Sequence, residues 1–82
     1  MKNKVAVISA VIENLASVGA LNRLFSDYRN VIVGRLGLPY RERNINIVTV
    51  VVDAPEQIIT ELAEKIGALD GASASYACSK EK

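Results

Sequence analysis

The sequence has no histidine, no tryptophan and a single cysteine, Cys78. Without histidine it lacks the usual general base, the commonest metal ligand and the usual pH switch near neutrality. One cysteine cannot form an intramolecular disulfide, and a transition-metal site would need ligands from several subunits. A lone cysteine is compatible with a reducing cytosol. Neither sign of charge dominates: 10 Lys+Arg stand against 9 Asp+Glu, for a net charge of +1. That is not the footprint of a chain that binds nucleic acid by neutralising phosphates, and few aromatics are available as stacking platforms. Direct nucleic-acid binding, which would fall to Arg35, Arg41 and Arg43, is therefore disfavoured. No apolar run approaches the length of a bilayer span. The run Val5–Ile12 is short and lacks a small-residue cleavage site, so it does not read as a signal peptide. The expectation is a cytoplasmic protein without membrane attachment, metal or cofactor.

What the chain does have is apolar residues, 50% of its 82 positions. A chain this short is one domain, residues 1–82, with a large surface for its volume. Too many apolar groups remain to be hidden inside, and a homodimer or homotetramer is expected to hide the rest.

The apolar residues change period along the chain. Val5–Ile12 (VAVISAVI) is apolar and β-branched on both parities, as a strand covered on both faces would be. Asn14 is placed to cap a helix. From Leu15 to Tyr28 the stripe Val18, Leu21, Phe25 and Tyr28, with Leu24 beside it, has helical spacing. Gly19 costs that helix about 1 kcal/mol relative to alanine, which suggests close approach of a strand or a neighbouring subunit. Val31–Leu38 reads as a second strand, with Gly34 and Gly37 marking a bulge or twist. Pro39–Asn44 reads as a turn, and Ile45–Val52 (INIVTVVV) as a central strand. Asp53-Ala-Pro-Glu56 reads as a helix start, with Asp53 as cap and Glu56 closing a capping box. Ile58, Ile59, Leu62, Ile66 and Leu69 form the buried stripe of that helix, Glu61 and Lys65 pair on its exposed side, and Gly71 stops it. Ala72–Ser79 alternates, with Ala72, Ala74, Tyr76 and Cys78 on one face and Ser73, Ser75 and Ser79 on the other.

The order βαββαβ is the ferredoxin-like arrangement, an α+β sandwich with a four-stranded antiparallel sheet and two helices on one face. Its second face stays open. With strands apolar on both parities, that face should be apolar and should pair with another subunit through the sheet.

No residue reads as catalytic. Cys78 shares a parity with Tyr76 and reads as a buried structural thiol, having no base to activate it. Glu56, Glu61 and Glu64 are explained by cap and solvent roles. Arg35, Arg41 and Arg43 could form a small anion site, partly offset by Glu42; the plain alternative is a set of solvated hairpin residues with Pro39 setting the turn. The segment from Glu13-Asn14 through Val18-Gly19-Ala20-Leu21 resembles the first loop of ACT domains, which bind amino acids, although the usual Pro-Gly pair after the strand is absent and Gly19 lies further into the helix. This makes Asn14, Gly19, Arg35 and Arg41 the candidate effector-binding residues.

The stretch RLGLPYRERN, with LDGASASYACSK downstream, resembles a family of ferredoxin-like proteins described as regulators of the iron-only hydrogenase system. The pattern Arg-x-Gly-x-Pro-x-Arg-Glu-x-Asn is met by Arg35, Gly37, Pro39, Arg41, Glu42 and Asn44, with Gly71 later. The resemblance implies an ACT-like domain, similar also to the C-terminal domain of nickel-responsive repressors, that assembles through its sheet and binds a small effector between subunits. Those repressors hold nickel with histidines and a cysteine, so nickel sensing does not carry over to this histidine-free chain. No room for a ribbon-helix-helix DNA-binding domain is expected before Val5. The function expected is that of a non-enzymatic transcriptional or metabolic regulatory domain; the alternative is a protein–protein interaction module with a partner protein and no ligand.

Overall fold

The computed structural model describes residues 2–80. Strand β1 (Asn3–Ile12) leads through a short 3-10 turn (Leu15–Ser17) into helix α1 (Val18–Asp27). Strand β2 (Ile32–Tyr40), a second 3-10 turn (Arg41–Arg43) and strand β3 (Ile45–Pro55) follow, then helix α2 (Glu56–Gly67) and strand β4 (Ala72–Cys78). The strands form one antiparallel sheet in the order β2-β3-β1-β4. This is the ferredoxin-like arrangement expected from the sequence.

Strand geometry explains the two-sided apolar pattern. Successive side chains point to opposite faces of a sheet. The even positions Ala6, Ile8, Ala10 and Ile12 of β1 and Val48, Val50, Val52 and Ala54 of β3 are buried. Leu21 and Phe25 of α1 and Ile59, Leu62, Ala63 and Ile66 of α2 close over them. Val18, Leu24, Tyr28, Ile58, Leu69 and Cys78 pack around this core as partly buried groups. Ala63 is the one core position of α2 outside the expected stripe.

Several boundaries differ from the sequence reading. β3 runs to Pro55 because Asp53, Ala54 and Pro55 pair with Val5, Lys4 and Asn3, and the Asp53 N–H donates to the Val31 carbonyl at 2.9 Å. Asp53 therefore lies in the ladder and does not cap α2. Pro55 holds the cap position without a side-chain hydrogen bond, and no capping box forms. An ion pair between Lys4 and Glu56 (2.9 Å) ties this helix start to β1 instead. Pro39 sits within β2 opposite Asn46, a place open to it because β2 is an edge strand with no ladder on its outer side. The turn itself is Arg41–Arg43, ended by Asn44 in the left-handed region (φ 57°). The bulge expected at the glycines of β2 falls between Ile32 and Gly34 and leaves Val33 69% exposed.

Side-chain ties join the helical layer. Tyr28 donates its hydroxyl hydrogen bond to Glu61, which also pairs with Lys65 across one turn at 3.8 Å. The Lys65 ammonium lies over the Tyr28 ring. The Tyr28 hydroxyl, chiefly through hydrogen bonding, and then Glu61 and Asp27 hold Lys65 above its ordinary pKa.

A latch at one end of the sheet joins the β1–α1 connection to the α2–β4 connection. The Glu13 N–H donates to the Gly71 carbonyl (2.7 Å), Asn14 Nδ2 to Asp70 (2.5 Å), and the buried Ser17 hydroxyl to the Asp70 carbonyl (2.7 Å). Asn14 Oδ1 accepts from the Ala16 N–H at 3.0 Å, as expected of a helix cap. Gly71 has φ +72°, and a Cβ there would lie 2.6 Å from the Asn14 Cβ. Gly19, by contrast, faces open space, with nothing within 4 Å of a built Cβ. Among the described residues no strand approaches it, contrary to one of the two expectations for that glycine.

Two outcomes follow for chemical denaturation. Gly71→Ala loses at least about 2 kcal/mol, combining the left-handed backbone and the clash, whereas Gly19→Ala gains roughly 0.5–1 kcal/mol from helix propensity. Asn14→Ala lowers stability by about 1–2 kcal/mol, because it removes the cap and leaves the Asp70 carboxylate without its donor; equal midpoints for Asn14→Ala and the parent would contradict the latch.

Candidate functional site

Two surfaces stand out: the face of the sheet away from the helices, and the groove between α1 and the edge strand β2. The first follows from the same alternation that builds the core. The odd positions Val5, Val7 and Val11 of β1 point outward and are 46%, 42% and 37% exposed. Leu36, Leu38 and Tyr40 of β2 lie on this face opposite Thr49, Ile47 and Ile45 of β3. They too are exposed, Leu36 at 68%. At the centre Ser9 and Thr49 face each other and share a hydrogen bond of 3.3 Å between hydroxyls. β4 contributes Ser73, Ser75 and Ala77, opposite Val11, Ser9 and Val7. The face is thus apolar toward β2 and lined by hydroxyls toward β4. A hollow of about 280 Å³ lies along the β1–β4 half, bordered by Ser9, Val11, Ile47, Ser73 and Ser75. Asp53, opposite Val5, adds one carboxylate at the end of the face; a largely apolar sheet face of this kind is of the sort that marks an interaction surface.

The groove is built on the opposite side of β2. Arg35 pairs with Val50, so it shares the helix-side face with Gly37 and Pro39. Its guanidinium lies over the Phe25 ring, 4.7 Å from the centroid, and Nη2 donates to Asn22 Oδ1 at 3.1 Å. The side chain is therefore anchored to α1 rather than extended into solvent. Hollows of about 340 and 220 Å³ flank it, the second bordered by Gly37 and Pro39. Asn22 and Phe25 were not singled out as functional from the sequence. Phe25 reads there only as a core residue, and the three-residue step that brings Asn22 and Phe25 together under Arg35 needs the helix and strand in register.

The four candidate effector residues occupy separate places. Asn14 belongs to the latch, with both ends of its amide engaged. Gly19 lies in the first turn of α1, facing open space. Arg35 is in the groove. Arg41 begins the exposed 3-10 turn of the β2–β3 hairpin with Glu42 and Arg43, and none of the three forms an ion pair among the described residues. Of the motif residues, Asn44 and Gly71 supply left-handed backbone at turns, a task both residue types perform well. Cys78 is partly buried against the core, on the face expected for it. Among the described residues no cluster of three metal-ligating side chains is found, and no helix is long and apolar enough to cross a membrane.

Comparison with known proteins now adds the relationship. The uncharacterized protein TM1266 from Thermotoga maritima has the same fold, with a TM-score of 0.90 and 22% identity over 96% of this chain and 100% of that one. A formyltetrahydrofolate deformylase from Pseudomonas putida KT2440 is similar at a TM-score of 0.67 and 13% identity, covering 95% of this chain but only 30% of the enzyme. At these identities both likenesses speak of fold alone. No protein of curated function matches the sequence. The family model TM1266-like, described as "Iron-only hydrogenase system regulator, putative", matches residues 4–75, and the chain belongs to that family.

Proposed function

We propose that this chain is a non-enzymatic cytoplasmic regulatory domain that works as a homo-oligomer, with two copies packed through their open sheet faces and a small effector held at the subunit interface. The observation that carries the reading is the outer face, apolar over most of its area, with Asp53 at one end as the charged residue that β3 places on it. Its apolar side chains on β1, β2 and β3 lose contact with water only if another surface covers them, at roughly 25 cal/mol per Å² of apolar area removed. A second copy suits it, because the central part of the face, away from Asp53 at its end, carries no charge to repel itself and the Ser9 and Thr49 hydroxyls can each donate or accept. Membership in a family of hydrogenase-system regulators supports a regulatory rather than a catalytic role.

A specific observation favours the second reading, an interaction module without effector: the amide of Asn14 is spent in the latch, so the ACT-like loop offers it to no ligand. Calorimetric screening with amino acids and anionic metabolites separates the two, since binding of none of them supports the module.

Sedimentation equilibrium at micromolar concentration tests assembly. The parent is expected to sediment as a dimer or tetramer. Val7→Glu and Leu38→Glu each shift it to monomer, since an unpaired charge in a buried contact costs about 3 kcal/mol or more. A stable monomeric parent would sink the reading. Arg41→Ala is expected to weaken assembly or anion binding more than Lys80→Ala; equal small effects would leave Arg41 a solvated hairpin residue.

A further inference from the structure

The groove beside β2 holds an arrangement that a merely structural arginine does not need. Arg29, just past α1, and Arg35 border the same hollow of about 340 Å³, together with Asn22, Phe25, Ser26 and Ile32. No carboxylate borders it, and neither arginine forms an ion pair among the described residues. Guanidinium groups stay charged at any physiological pH. Stacking on Phe25 and donation to Asn22 orient the Arg35 fork without neutralising it. Two permanent positive charges, that of Arg35 held in place and that of the exposed Arg29 beside it, thus share one compartment with a hydroxyl and an apolar wall.

We propose that this groove binds a small phosphomonoester. The phosphate is taken by the guanidinium groups of Arg29 and Arg35 with the Ser26 hydroxyl, and the ester body lies toward Phe25 and Ile32. A phosphomonoester concentrates about −1.5 to −2 charge and three acceptor oxygens on one compact group, which matches two arginines better than a single carboxylate does. The hollow lies near the small end of ligand sites, roughly 300–1,000 Å³, so the ester is a small one. The site is complete within one chain. It stands or falls apart from the pairing of sheet faces, which sedimentation reads and this binding does not.

Inorganic phosphate and glycerol phosphate are titrated into the isotope-labelled protein and followed by amide NMR, with glycerol and succinate as comparators. Saturable shifts are expected at Asn22, Phe25, Ser26, Arg29 and Arg35, with glycerol phosphate binding more tightly than phosphate and glycerol not at all. Arg29→Gln and Arg35→Gln each weaken binding by at least about tenfold, the loss of one charge-assisted hydrogen bond. Arg35→Lys weakens it comparably, because lysine lacks the planar fork, and Lys80→Gln leaves it unchanged. Arg29 is exposed, so Arg29→Gln keeps the parent's melting curve and its lost affinity cannot be assigned to unfolding. Non-saturating shifts, equal shifts at Arg41 and Arg43, succinate binding as tightly as glycerol phosphate, or full affinity in Arg29→Gln would each overturn the assignment.

Discussion

The pairing of β1 with β3 along the whole length of β1, from Asn3 opposite Pro55 to Ile12 opposite Asn46, is the constraint on which the molecule depends. It puts the two most apolar segments side by side in the middle of the sheet. It also sets their register so that one parity of each strand meets the helices and the other faces out. A slip of β1 by one residue would exchange Ile8 for Val7 in the core, and a slip of β3 would exchange Val50 for Val51. Because both parities are apolar, the slip is opposed less by hydrophobicity than by fit. Ala6, Ala10 and Ala54 are small apolar residues of the buried parity that the outer parity lacks, and Ser9, Thr49 and Asp53 would be carried into the apolar interior.

Once that pairing is set, the same alternation creates both surfaces of interest. The outer face exists because β1 and β3 are apolar on the parity the core does not use. The α1–β2 groove exists because β2 is an edge strand: its Ile32 packs against the core, while Arg35, Gly37 and Pro39 lie on the helix side with only α1 nearby. Arg35 fills that gap by lying on Phe25, which explains how a charged side chain sits against a core residue without burial of its charge.

At the far end of the sheet, the latch shows how one residue can look functional in sequence and be mechanical in the fold. Asn14 lies where a ligand-binding loop would place a polar group, yet its amide bridges Asp70 and Ala16. Gly71, more than fifty residues downstream in sequence, is required there because its missing Cβ leaves room for Asn14. The spacing of Asn44 and Gly71 in the family motif has the same kind of cause, left-handed backbone at two turns.

The sequence by itself determined the element order, the two-faced central strands, the helical stripes and therefore the ferredoxin-like sandwich, because periods of two and three-to-four residues are local properties of strand and helix geometry. It also pointed to the open apolar face, since alternation within β1 and β3 needs no knowledge of their neighbours. Tertiary structure alone decided the rest. Pro39 became a strand residue because β2 is at the edge. Asp53 became a ladder residue because β1 begins at Asn3 and extends the pairing. Arg35 met Asn22 and Phe25, and came to border one hollow with Arg29, only because α1 lies beside β2, and Asn14 met Asp70 only because two loops lie at the same end of the sheet. Contacts of that kind depend on the packing angle and register of elements distant in sequence, and no local pattern encodes them.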